Sequence, residues 1–130
     1  LNYRLKNLRN LIERRRKNYN IYKEYLNLDK VFIPDEKKYQ YNTFHTFVVQ
    51  VNKRDELKKY LNDNGVSSAI HYPVPIHLQP AAKYLGHKEG SFVNTENQAK
   101  RILTLPINQF LKKDEIKYVS DKINNFFSKN

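Results

Sequence analysis

The chain has 130 residues, 24 of them Lys or Arg and 13 Asp or Glu, giving a net charge of +11, with no Cys, Trp or Met. That length fits a single domain with a modest core, and 39% hydrophobic with 28% charged residues reads as globular and rather polar. The lack of Cys excludes a disulfide framework, a thiol nucleophile and a Cys-ligated zinc, and no apolar run reaches the roughly 20 residues of a membrane span.

Residues 1–26 read as one long helix. Leu1, Leu5, Leu8, Ile12, Tyr19, Tyr22 and Leu26 recur at helical spacings and form one stripe. A helix this long is marginal alone, so the stripe needs a surface outside itself. Seven cations crowd residues 1–17 against Glu13 alone. The run Arg14-Arg15-Arg16-Lys17 reads either as a solvated face or as a patch for an anion or a partner. Residues 27–42, broken by Pro34, read as a loop. Residues 43–51 are dense in β-branched and aromatic side chains and predict a strand. Asn52 and Asp55 form an N-cap pattern, Leu57, Tyr60 and Leu61 a short amphipathic helix, and Gly65 its C-terminal cap. Residues 66–72 are a second strand candidate.

Pro73, Pro75 and Pro80 punctuate an irregular stretch, followed by a short helix at 81–85. Thr95 and Gln98 suggest a capping box opening a helix through Ala99, Ile102 and Leu103. Residues 103–106 read as a third short strand stopped by Pro106, and Ile116, Val119, Ile123 and Phe126 mark a C-terminal amphipathic helix. The order predicts an α+β fold: a small, mainly antiparallel three-stranded sheet with helices on one face, preceded by a long helix.

Residues 69–80 carry the most chemistry. Three prolines stiffen a segment that offers His71, Tyr72, His77 and Gln79, all able to hydrogen-bond to oxygen atoms. A loop with so little entropy to lose suits a site for phosphate, hydroxyl or carbonyl groups. Spacing alone leans instead toward a rigid surface turn with half-buried rings. No acidic residue in the loop completes a metal site with His71 and His77. His45, between Phe44 and Phe47, reads as a satisfied core or interface histidine, and His87 as exposed. The three glycines form no phosphate loop, and no serine sits in a G-x-S-x-G frame. Taken alone, the chain does not look like a complete catalyst.

The run Ser68-Ala69-Ile70-His71-Tyr72-Pro73-Val74-Pro75-Ile76-His77-Leu78-Gln79-Pro80-Ala81 resembles the C-terminal domain of nucleotide-sugar aminotransferases of the DegT/StrS type. Leu11-Ile12-Glu13-Arg14-Arg15-Arg16, Arg54-Asp55-Glu56-Leu57, Tyr84-Leu85-Gly86, Leu103-Thr104-Leu105-Pro106 and Asp114-Glu115-Ile116 agree with the family in the same order. The family usually has a proline soon after the Gly90 position, where Phe92-Val93 follows here. The resemblance implies the fold of aspartate-aminotransferase-type enzymes, with residues 1–26 as an interdomain helix and 27–130 as the small domain. It implies a homodimeric pyridoxal-phosphate enzyme that moves an amino group from glutamate to a keto-sugar carried on a nucleotide. The cofactor and its Schiff-base lysine would belong to a large preceding domain absent from this chain, so no catalytic residue is assigned. By resemblance His71 and Tyr72 contact the diphosphate or sugar, with His77 and Gln79 as further members of that wall.

No signal-peptide pattern opens the chain, so a cytoplasmic protein with no membrane partner is expected. Leu1 is not an obvious translation start, which suggests that the chain begins inside a larger protein. Two other readings stay open: a free-standing basic module for RNA or another partner, using charge and ten tyrosines, and a non-catalytic remnant of the family. The predicted strands lack an RNP-like pattern of paired aromatics with glycines, which argues against nucleic acid.

Overall fold

A computed structural model describes residues 2–129 of the chain. The predicted N-terminal helix is present in two pieces, α1 (Asn2–Lys6) and α2 (Leu8–Tyr25), with Asn7 as a turn between them. Leu1, the first residue of the predicted stripe, lies outside the described residues. The rest of the stripe divides along its length. Tyr19, Tyr22 and Leu26 are buried in the core, whereas Leu5 and Leu8 remain about half exposed.

The sheet has three antiparallel strands in the order β1 (Val31–Phe32), β2 (Phe47–Val51) and β3 (Ile102–Leu105). Val31 pairs with Val51, and Val49 with Leu103. Two expectations change. The segment 27–42, read as a loop, contains β1, which consists of two residues and exists only through its pairing with β2. The segment 66–72 is not a strand: Ala69 alone bridges Thr104, with Ala69 N–H to Thr104 O at 3.1 Å and Thr104 N–H to Ala69 O at 2.7 Å. Val66 is held by the preceding helix and the prolines from 73 onward supply no ladder donors, so one step of pairing is all that fits.

Strand β2 also starts later than predicted. Phe44 takes a left-handed φ of 48°, and the carbonyls of Phe44 and His45 are occupied by the Arg15 guanidinium at 3.0 and 3.1 Å. Phe47, Val49 and Val51 then point into the core, alternating with half-buried Val48 and Gln50. With Val31, Leu103 and Leu105 they make the buried face of the sheet.

Helices cover that face. Tyr22 of α2, Leu57 and Leu61 of α3 (Arg54–Asp63), and Ile116 and Ile123 of α5 (Lys113–Lys129) all join the core. Each such aliphatic side chain contributes about 1.5–3 kcal/mol by leaving water. The buried Tyr22 hydroxyl donates to Pro106 O at 2.8 Å, and burial pushes its pKa well up. Gly65 caps α3 as predicted: at φ 74° it donates to Asn62 O while Val66 N–H reaches Leu61 O, which satisfies two orphan carbonyls. At the other end, Lys53 rather than Asn52 is the N-cap residue, and no side chain caps the helix.

The helix α4 (Val93–Arg101) begins at Phe92 without a side-chain cap, so the Thr95 and Gln98 capping box does not form. It runs into β3 with no residue between Arg101 and Ile102. Arg54, 8% exposed, reaches from α3 to the end of α4 and donates to Ala99 O at 3.2 Å and Ile102 O at 3.0 Å. These are carbonyls that a helix C-terminus leaves without intrahelical partners.

Candidate functional site

The proline-rich loop leaves the sheet at Ala69, on the edge of β3 that no other strand occupies. Two residues on, His71 Nδ1 lies 2.9 Å from Thr104 Oγ1. Thr104 therefore fixes the backbone through Ala69 and the imidazole through its hydroxyl. Whichever group carries the shared proton, Nε2 is the ring nitrogen that Thr104 does not use. Tyr72 follows, 72% exposed, with its ring 5.5 Å from that of His71 and nearly perpendicular to it.

Beyond Tyr72 the chain folds back on itself. Ile76–Leu78 is a single 3-10 turn, with Leu78 N–H bonded to Pro75 O at 2.9 Å. Gln79 Nε2 donates to Val74 O at 3.3 Å and closes the loop from inside. A second 3-10 helix, Pro80–Leu85, replaces the short helix expected at 81–85. Pro73, Val74, Pro75 and Leu78 line one cleft with Glu96 and Ala99 of α4.

His77 faces the interior. Its Nε2 lies 2.9 Å from Glu96 Oε1, and both side chains are 8% exposed. The Glu96 carboxylate also accepts Gly90 N–H at 2.8 Å and Phe92 N–H at 3.1 Å. The Gly90 amide chiefly, then Phe92 and His77, hold this carboxyl below the usual carboxylate range against the opposing effect of burial. Gly90 reaches this position with φ 88°, a conformation that side-chain-bearing residues rarely adopt. A proline at position 92 would lack the N–H that Phe92 gives to Glu96. The Phe92 ring packs edge-on against His77 at 4.8 Å and against His87 at 5.0 Å.

The four candidate residues thus divide. His71 and Tyr72 stand together at the surface; His77 is buried on Glu96, and half-buried Gln79 bonds the loop's own backbone. Glu96 and Thr104 escaped notice in the sequence, where one sits in a polar helix start and the other in a short strand. His45 is exposed rather than in the core.

The basic run divides: Arg14 and Lys17 stay a solvated face, and the other two bind residues of this chain. Arg15 holds Phe44 O, His45 O and Gln109 Oε1, and Arg16 forms a two-pronged pair with Glu36 at 2.7 and 2.8 Å while also donating to Asn42 O. Two of its four cations are therefore clamps on residues 36–45, and Arg14 and Lys17 are exposed. Arg16 first, then the Asn42 amide, lowers the Glu36 carboxyl to about 2.

Pyridoxal phosphate needs a lysine amine in an enclosed pocket to carry its aldehyde. Among the described residues no lysine is buried; Lys58 and Lys122 are half-buried and the others exposed. The residues of this chain do not by themselves fit that cofactor. No helix among the described residues is long and apolar enough to cross a membrane.

Residues 1–124 match the DegT/DnrJ/EryC1/StrS aminotransferase family. A pleiotropic regulatory protein of Geobacillus stearothermophilus is 39% identical over 99 residues, 76% of this chain and 27% of that protein. A dTDP-3-amino-3,4,6-trideoxy-alpha-D-glucose transaminase of Streptomyces venezuelae is 38% identical over 80 residues, 62% of this chain and 21% of that one. Among solved structures, DesV of S. venezuelae superposes with a TM-score of 0.91 at 31% identity, over 96% of this chain and 34% of that one. An aminotransferase from Brucella abortus gives a TM-score of 0.88 at 28% identity, over 97% of this chain and 34% of the other. The chain spans about a quarter of the length of the curated relatives and a third of the solved ones. In sequence and in fold, over nearly its whole length, this chain belongs to the DegT/DnrJ/EryC1/StrS aminotransferase family.

Proposed function

We propose that the chain is the C-terminal part of an aminotransferase that aminates a keto-sugar carried on a nucleotide, in amino-sugar, cell-surface polysaccharide or antibiotic-sugar biosynthesis. Relatives named as dTDP-sugar and UDP-sugar transaminases support the substrate class. In this reading the intact protein is a cytoplasmic homodimer that uses glutamate as amino donor. Pyridoxal phosphate is held by the part of the enzyme outside this chain, α1 and α2 lead in from that part, and residues 27–130 form the small domain.

The role of this chain is to supply one wall of the substrate site. The observation that carries the reading is the pairing of His71 with Tyr72: two hydrogen-bonding rings, both exposed, on a backbone tied to the sheet at Ala69. An imidazole N–H and a phenol O–H are donors suited to diphosphate or sugar oxygens, and a fixed loop loses little entropy on binding them. His77 and Gln79 serve this wall from behind by shaping the loop.

In the full-length enzyme, His71→Ala should slow turnover of the nucleotide sugar by about tenfold or more, the effect of losing one good hydrogen bond to a charged ligand. The half-reaction with glutamate should change less than about twofold. Equal losses in both half-reactions would sink the assignment. The 130-residue chain alone, mixed with pyridoxal phosphate, should show no bound-cofactor absorbance. A saturable band would move the cofactor site into this chain.

A further inference from the structure

The loop that carries His71 and Tyr72 is fastened twice, and both fastenings lie on one continuous stretch of chain. Its start is tied to Thr104 of β3, through the Ala69 backbone and the His71 ring. Its far side is tied to Glu96 of α4, through His77. No loop separates α4 from β3, so the two anchor points belong to one rigid run. Between the anchors Pro73 and Pro75 restrict the backbone, and Gln79 bonds back to Val74 O. A displacement at His77 is therefore passed along the loop rather than absorbed by it. Glu96 is held in turn by the amides of Gly90 and Phe92, and these contacts keep it ionised as a strong acceptor for the imidazole.

We infer that Glu96 is a positioning residue for this site: through His77 it holds the His71–Tyr72 segment in the geometry that meets the substrate. The inference rests on the reading of His71 and Tyr72 as substrate contacts. A buried carboxylate with three different donors is more than a helix start requires, and its one side-chain partner comes from the candidate loop. Without that bond the far side of the loop loses its hydrogen bond to α4 and is left with packing such as that of the Phe92 ring on His77.

The test uses the full-length enzyme with two variants, read by amide hydrogen exchange and by steady-state kinetics. Glu96→Gln weakens the acceptor, and His77→Phe removes the bond while leaving Glu96 its contacts with Gly90 and Phe92. Both should speed exchange across residues 70–79 by about tenfold or more. Both should also raise KM for the nucleotide sugar by about tenfold, with kcat and the glutamate half-reaction within about twofold. His77→Gln keeps an N–H near the Nε2 position and should restore most of the difference. Unchanged exchange at 70–79 in both variants overturns the positioning role of Glu96, whatever happens to activity. So does a His77→Gln variant as impaired as His77→Phe. Faster exchange at 70–79 with an unaltered sugar KM overturns instead the substrate role of His71 and Tyr72.

Discussion

Glu36 and Glu96 each fasten a loop by accepting several donors, one near the surface and the other in the interior. Glu36 takes a bidentate guanidinium from Arg16 and the amide of Asn42, with its side chain 19% exposed and that of Arg16 27%. Glu96 takes two backbone amides and an imidazole, with the His77 and Glu96 side chains both 8% exposed. Both arrangements hold a carboxyl below its usual range. They differ in what failure costs. Water can readily replace a lost partner at Glu36, whereas less of it reaches the groups around Glu96 when a partner goes. The difference also reinterprets the charge of the chain, because part of its basic run is spent on holding its own residues 36–45.

The most severe way to stress this contrast is through the interior. Arg54→Ala removes the donors to Ala99 O and Ile102 O and loosens the α4–β3 run on which Glu96 sits. It should cost about 2–3 kcal/mol by urea unfolding. A loss below about 1 kcal/mol would show that the run is held without it.

Acid sharpens the comparison next. Both carboxyls have folded values below the ordinary 4.5, so each contributes stability that is fully present above that pH. The contribution is lost as pH falls through the folded value, which for Glu36 is about 2. Amide resonances of Asn42 and Gly90, the respective donors, should titrate with these transitions. Adding about 0.5 M salt should move the Asn42 transition upward and leave that of Gly90 nearly in place. Equal shifts would erase the distinction between surface and interior.

The smallest effect belongs to Arg16→Gln. It should raise the Glu36 transition toward the ordinary value and alter overall stability less than any core change, with the difference fading in high salt. A loss as large as that of Arg54→Ala would make the surface clamp a structural keystone.

Much of the scaffold could be read from the sequence, because periodic elements announce their buried faces. Ile116, Val119, Ile123 and Phe126 identified the inner side of α5, and Gly65 the end of α3. What escaped depends on partners distant in sequence. Val31, Phe32 and Ile33 are strand-forming types, but a run of three bounded by Lys30 and Pro34 is too short to mark a strand, and β1 forms only opposite Gln50 and Val51. Residues 66–72 have the composition of a strand but just one position with a partner. In the candidate site, the density of prolines and polar rings marked the right segment. It could not divide outward His71 and Tyr72 from inward His77, since an irregular loop has no period that assigns a face to each side chain. Glu96 was invisible for a related reason. A glutamate near a helix start ordinarily faces solvent, and only the fold brings Gly90, Phe92 and His77 around it.

The uninterrupted passage from α4 into β3 has a consequence for how this surface can change. Both abutments of the proline loop stand on residues 96–104, so the exposed positions between its prolines can be re-lettered without disturbing its footings. Tyr72, Val74 and Ile76 are 72%, 45% and 78% exposed, and their side chains take no part in the bonds that fasten the loop. Positions 72, 74 and 76 are exchangeable: new side chains there alter what the surface offers a ligand, while Pro73 and Pro75 between them keep the path of the backbone.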